Sequence, residues 1–219
     1  MHTSRLMARF DLVIFDCDGV VVDSERVVHD VFGAFIRSLG ARLSEAEVFE
    51  RFLGRRLAEC MAIVEDLTGQ PVPPGALERY CTERDRVLRE QVQPVAGIRE
   101  VLEGLRIPYC IASSGDLDKM RLTLGATKLL PLFADRFYSA TQVPHGKPAP
   151  DVFLFAAERM GAEPARTLVI EDSVNGVLAG CAAGMTVFGF AGLTASEKLS
   201  EAGAALTFTA MRDLPALLA

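Results

Sequence analysis

Apolar runs that stop abruptly at polar residues alternate along this chain with stretches of helical spacing. Residues 10–19 read Phe-Asp-Leu-Val-Ile-Phe-Asp-Cys-Asp-Gly, and a short Val/Ile/Phe run bounded by turn residues suits a strand buried on both faces of a parallel sheet. After Val20-Val21-Val22-Asp23-Ser24 the character changes. Helical periodicity then predicts helices over 24–39, closed by Gly40; over 44–52, opened by Ser44; over 56–68, closed by Gly69; and over 75–91, after the breaker Pro71-Val72-Pro73-Pro74-Gly75. From Pro94 onward helices and strands alternate: helix 97–104, strand 107–113, helix 116–125, strand 136–140, helix 150–160, strand 166–171, helix 174–183 and strand 185–189. A helix at 195–202, a short strand at 205–208 and a last helix at 211–218 complete the pattern.

Alternation of this kind predicts an α/β fold, a doubly wound parallel-sheet (Rossmann-like) core whose ligands bind beyond the carboxyl ends of the strands. The core is expected to comprise residues 1–24 and 94–219, with residues 25–93 inserted as a four-helix cap domain. No internal repeat or low-complexity tract interrupts it.

Composition narrows the partners. The chain has 219 residues, half of them apolar, which is globular composition. Its net charge of -6 comes without a block of Lys or Arg, which argues against nucleic acid and against an anionic membrane surface. A small-molecule partner is expected instead, bound by a monomer in the cytoplasm. Met1–Arg9 carries charge with no apolar leader behind it, and Asp16 breaks the Val-Ile-Phe run, so neither a signal peptide nor a membrane span is expected. The five cysteines are scattered without a C-x-x-C pair and read as reduced thiols.

Chemistry gathers at the strand ends. Asp16 and Asp18 are two apart, so on a strand they leave on one face at its carboxyl edge, while Cys17 between them points into the core. Two like charges so close call for a cation between them, a proton on one, or a solvated turn; Mg²⁺ and acid/base work are the chemical readings. After Tyr109-Cys110-Ile111-Ala112 come Ser113-Ser114-Gly115-Asp116, which is either a helix cap or a phosphate cradle of hydroxyls and free amides. Gly146-Lys147-Pro148-Ala149-Pro150-Asp151 stiffens a loop around one of only four lysines, with Asp151 as the expected N-cap of the next helix. Thr167-Leu168-Val169-Ile170 ends in Glu171-Asp172-Ser173, a second strand delivering two carboxylates, and Asp16 with Asp172 offers hard oxygen ligands for Mg²⁺.

Taken in order, these four places resemble the motifs of the haloacid dehalogenase-like hydrolase superfamily, in the branch with a helical cap near the β-phosphoglucomutase and sugar-phosphatase members. Asp16-Cys17-Asp18-Gly19-Val20 is similar to the first motif, Ser113 to the second, Lys147 to the third and Glu171-Asp172 to the fourth. The resemblance spans nearly the whole chain. It implies a Mg²⁺-dependent phosphatase acting through an aspartyl-phosphate, with Asp16 as nucleophile and Asp18 as general acid and base. It implies further that Mg²⁺ is held by the Asp16 and Asp172 carboxylates and the Asp18 carbonyl, with Glu171 a weaker or water-mediated ligand. Ser113 and the amides of Asp18, Gly19 and Ser114 would hold phosphoryl oxygens, and Lys147 would neutralise charge beside Asp16.

The insertion decides the substrate. Residues 26–93 hold ten arginines, eleven acids and no lysine. Arg55 and Arg56, after Gly54, lie where capped relatives contact substrate, and a guanidinium fork suits a carboxylate or second phosphate. The absence of a cap lysine excludes phosphonate cleavage, and Asp18 distinguishes the chain from the dehalogenases. The cap-histidine position of the mutases is Val28, with His29 about 100° off register and read as a packing residue. A phosphatase for a sugar phosphate or phosphorylated sugar acid is therefore expected. A phosphomutase is the first alternative, and a catalytically silent phosphosugar-binding regulator the second.

Overall fold

In the computed structural model, which describes residues 10–52 and 54–219 and only the backbone of residues 25, 26 and 49, the chain runs through β1 (Leu12–Phe15) and a short β2 (Val22–Asp23). The segment Met1–Arg9, where no leader is expected, lies outside the described residues. Four helices come next: α1 (Glu25–Ser38), α2 (Glu45–Phe52), α3 (Leu57–Thr68) and α4 (Ala76–Gln91). After β3 (Gln93–Pro94) come α5 (Ile98–Gly104), β4 (Tyr109–Ser113), α6 (Leu117–Ala126), α7 (Leu130–Phe133), β5 (Phe137–Ser139), α8 (Asp151–Met160) and β6 (Thr167–Glu171). The remainder is α9 (Val174–Ala182), β7 (Thr186–Phe190), α10 (Ser196–Glu201), β8 (Leu206–Phe208) and α11 (Leu214–Leu218).

Six strands form one parallel sheet in the order β5-β4-β1-β6-β7-β8. Its strands are apolar on both faces because both faces are covered. On one side Val13, Phe15, Ile111 and Ile170 pack against α5, α6 and α11 through Leu102, Leu124 and Leu214. On the other, Leu12, Ile14, Ala112 and Val169 meet α8, α9 and α10 through Phe153, Val177 and Leu199. The chain winds outward from β1 through β4 to β5, then returns to its other side at β6, so the crevice beyond β1 is the topological switch point.

The four-helix insertion has its own apolar centre of Phe32, Ile36, Val48, Phe52, Met61, Val64 and Tyr80. The Phe35 ring stacks on Tyr80 with centroids 4.8 Å apart, and Phe32 sits edge-on to Phe52 at 5.0 Å. The chain leaves and re-enters the core side by side: β2 and β3 pair antiparallel, Val22 opposite Pro94 and Asp23 opposite Gln93. Ser44 and Glu47 exchange hydrogen bonds at the start of α2, and Gly69 ends α3 with a positive φ of 67°, as those residue types predict.

The structure departs from expectation in several local places. The strand predicted over 136–140 stops at Ser139, because Ser139 and Gln142 close a tight 3₁₀ turn over Ala140–Gln142. The one-turn helix α7, with Pro131 in its first turn, fills a stretch where the residue pattern predicts no element. Asp151 is the first residue of α8 and not its cap; Pro150 takes that position, and the Asp151 carboxylate accepts the backbone N–H of His145. Among the described residues no helix is long and apolar enough to cross a membrane.

Candidate active site

Three of the four motifs arrive at the carboxyl edge of β1, β4 and β6, and the other, with Lys147, comes from the loop between β5 and α8. Asp16 is the first residue past β1, its backbone N–H bonded to Ile170 O at 2.9 Å. The chain then folds back tightly: Val21 and Val22 both donate to Cys17 O at 2.9 Å, and Gly19 donates to Val22 O at 2.8 Å. This turn needs glycine at position 19, whose φ is +80°, and it presents Asp18 to the crevice while Cys17 stays buried in the core.

Lys147 is the centre of charge. Its ammonium, 1 % exposed, donates to Asp16 Oδ1 and Glu171 Oε1, each at 2.6 Å, and to Ala112 O at 3.2 Å. Glu171 also accepts from Ser173 N at 2.9 Å and Ser173 Oγ at 3.0 Å through Oε2, so both its oxygens are committed. Burial pushes the Asp16 carboxyl up to about 7; Lys147 opposes that rise, and Glu171 and Asp18 add to it. Burial disfavours the Lys147 ammonium, yet its two carboxylate partners outweigh that and raise its pKa.

Asp18 lies in the opposite balance. Burial again opposes ionisation, but Lys119 Nζ at 2.8 Å from Oδ2 and the Ser24 hydroxyl on Oδ1 prevail and hold its carboxyl below its ordinary value. The two aspartates, two positions apart in sequence, are thus pushed to opposite protonation tendencies. Ser113 Oγ accepts the Gly115 N–H at 3.0 Å, which leaves its own hydrogen available to donate. Ser114 differs: its hydroxyl donates to Gly54 O, at 2.8 Å, in the loop between α2 and α3.

Asp16, Glu171 and Asp172 are all buried and each brings one carboxylate oxygen within 4.8 Å of the others. A set of hard anionic oxygens at this spacing fits Mg²⁺. Gly19 makes the fit close, since a methyl group there would lie 2.0 Å from Asp172 Oδ2. Gly176 does the same for Glu171, whose Oε1 would meet a methyl at 1.8 Å.

Above these groups a cavity of about 300 Å³ separates core from insertion. Asp16, Asp18, Ser113 and Asp172 form its floor; Phe32, Phe52 and Tyr80 give its roof an aromatic wall. Arg55 and Arg56 both border it. Arg55 Nε donates to Arg51 O at 2.9 Å, while Arg56 spends both terminal nitrogens on Val143 O and Pro144 O at 3.2 Å. Val28 and His29 also border it, so His29, expected to pack within the helix layer, faces the crevice region. Sequence reasoning misses Ser24, Lys119 and Arg84. Lys119 carries one weak signal, being among four lysines in the chain; Arg84, buried against Asp85 at 2.8 Å and 3.8 Å from Asp116, carries none.

Comparison with known proteins shows the family. Residues 10–184 match the family model described as haloacid dehalogenase-like hydrolase. The chain belongs to the haloacid dehalogenase-like hydrolase family. It is 31 % identical to the 6-phosphogluconate phosphatase of Escherichia coli K12 over 96 % of both chains. It is likewise 31 % identical to a phosphorylated carbohydrates phosphatase of Thermotoga maritima, over 89 % of this chain and 92 % of that one. The crystal structure of a conserved haloacid dehalogenase-like protein of unknown function from Agrobacterium tumefaciens superposes with a TM-score of 0.80 at 36 % identity, covering 95 % and 97 % of the two chains. This haloacid dehalogenase-like hydrolase is a phosphatase of phosphorylated metabolites, a phosphoric monoester hydrolase, and its sheet is the Rossmann-like fold of the family.

Proposed function

We infer that the protein is a Mg²⁺-dependent phosphatase that cleaves a sugar phosphate or phosphorylated sugar acid through an aspartyl-phosphate on Asp16. The observation that carries this reading is the Lys147 ammonium seated 2.6 Å from Asp16 beneath the cavity between core and insertion, with the separately held Asp18 beside it. A buried carboxylate with a fixed cation against it is a nucleophile that an anionic ester can approach.

Asp16 attacks phosphorus, the leaving alkoxide departs, and the phosphoryl group remains on the carboxylate until water removes it. Asp18 gives the leaving oxygen its proton and later takes one from the attacking water; the pull of Lys119 and Ser24 toward its ionised form suits the second role, and for the first the negative charge of the bound ester has to raise its pKa. Ser113 donates its hydroxyl hydrogen to a phosphoryl oxygen, and the amides of Asp18, Gly19 and Ser114 serve the others. Glu171 holds Lys147 in place; Asp16, Asp172 and the Asp18 carbonyl would hold the cation directly, and Glu171 would serve it through water. When bound, Mg²⁺ supplies charge neutralisation between nucleophile and ester.

The sugar-acid preference rests on the names of relatives, 6-phosphogluconate phosphatase among them, and on Arg55, which borders the cavity with its terminal nitrogens making no hydrogen bond among the described residues. A phosphate-release screen over phosphorylated sugars, polyols and aldonic acids with Mg²⁺ tests the reading. Release from at least one class, abolished by Asp16→Asn with the fold intact, is the expected result. Because His29 borders the cavity, the mutase reading keeps one point in its favour. Isomerisation of a hexose phosphate without release of inorganic phosphate would decide for it.

A further inference from the structure

The loop between α2 and α3 touches the core at three places, each on one of the loops that carry the site. Ser114 Oγ donates to Gly54 O at 2.8 Å. Gly54 also rests on Ser173, close enough that a methyl group at position 54 would meet Ser173 Oγ at 2.6 Å. The third contact is a charged fork: Arg56 Nη1 donates to Pro144 O and Nη2 to Val143 O, both at 3.2 Å.

Those two carbonyls lie three and four residues before Lys147. From the core side their loop is held by His145, whose backbone N–H and Nδ1 both meet Asp151 Oδ2, at 3.1 and 3.0 Å, and by the turn bond from Ala149 N to Gly146 O at 2.9 Å. The carbonyls of 143 and 144 face the insertion instead, and Arg56 satisfies both. Gly146, the neighbour of Lys147, completes the fit: a methyl group there would lie 2.5 Å from Arg56 Nε and 2.7 Å from Glu59 Oε1. Glu59 lies 3.9 Å from Arg56 Nε and steadies the guanidinium.

We propose that Arg56 is a positioning residue that fastens the helical insertion to the Lys147 loop, so that closure over the cavity and the seating of Lys147 against Asp16 occur together. Arg56 then acts on every substrate alike, because what it touches is backbone. Arg55, beside it in sequence, is left as the arginine that meets the substrate. A planar fork matches two adjacent carbonyls as a single ammonium cannot, so lysine restores only part of the effect.

The test compares Arg56→Ala, Arg56→Gln and Arg56→Lys with the wild-type chain, using p-nitrophenyl phosphate and an anion-bearing phosphate ester together with amide hydrogen exchange. The kinetic arm rests on the phosphatase reading; the exchange arm does not. For Arg56→Ala and Arg56→Gln, kcat should fall about tenfold or more on both esters by a common factor, with KM moving less than about twofold. Exchange at the amides of Val143, His145 and Lys147 should quicken while those of β1 stay protected, and Arg56→Lys should fall between. A rise in KM confined to the anion-bearing ester would make Arg56 a substrate ligand and overturn the proposal. Faster exchange with unchanged kcat would overturn the link to Lys147, and unchanged exchange would overturn the fastening. A wild-type chain that turned over neither ester would count against the phosphatase reading alone.

Discussion

Removing the Lys147 charge tests the electrostatic account most directly. Lys147→Met keeps the stem that packs on Phe153, whose ring centroid lies 4.6 Å from Nζ, but leaves Asp16 and Glu171 facing each other in a buried pocket. Breaking a buried ion pair by deleting one partner costs about 3–5 kcal/mol. For a chain of this size each kcal/mol is worth roughly 2–4 °C, so Tm should drop by about 6–20 °C at pH 8.5 in EDTA. The pH dependence gives the sign. Folding raises the Asp16 carboxyl from its ordinary 3.8 to about 7, so its contribution to stability is present at low pH and lost as pH rises through about 7. Without Lys147 that loss has nothing to oppose it, and each further unit of upward shift costs about 1.4 kcal/mol above pH 7. At pH 5.5 Asp16 carries its proton in both proteins, so the gap should narrow by at least about 1 kcal/mol. Thermal unfolding of both proteins at the two pH values is the assay. An equal Tm depression at both, or one under about 2 °C at pH 8.5, would refute the reasoning.

Other perturbations probe the neighbouring groups. Gly19→Ala puts a methyl group 2.0 Å from Asp172 Oδ2 at a φ of +80°; calorimetry should show Mg²⁺ affinity at least about tenfold weaker, and unchanged affinity would remove Asp172 from the ligand set. Lys119→Met should cost about 1–3 kcal/mol at pH 7, because Lys119 helps hold Asp18 below its ordinary value. A depressed carboxyl stabilises above its unfolded pKa, so that deficit should vanish as pH falls below about 4, the opposite trend to Lys147→Met; a pH-independent deficit would contradict it. Arg55→Ala should raise KM for an anion-bearing ester about ten- to hundredfold and leave p-nitrophenyl phosphate untouched, and equal losses on both would make Arg55 structural.

The sheet and the polar loops after β1, β4 and β6 were legible in the sequence because each of these strands is an apolar run ending in a polar cluster, a pattern that burial on both faces imposes, and the Lys147 loop was legible by its flanking prolines and glycine. Helix bounds were legible where a residue type has one backbone use, as with Gly69 and the Ser44–Glu47 pair. The two-residue strands β2 and β3 were not, since two residues carry no period. Partners of the charged groups escaped for a different reason. Lys119 reaches Asp18 across 101 positions, and nothing along the chain marks a lysine in the first turn of a helix as the neighbour of a carboxylate on another loop. Arg55 and Arg56 show the limit most plainly. Adjacent and identical in type, they are equivalent to any reading of composition or spacing, yet they lie in the loop before α3, Arg56 as its extended N-cap, and there the backbone sends one fork onto core carbonyls. A strand fixes the direction in which the side chains after it leave, so the groups at its end can be read from the chain; in the insertion, direction is settled only by which loops the helices meet.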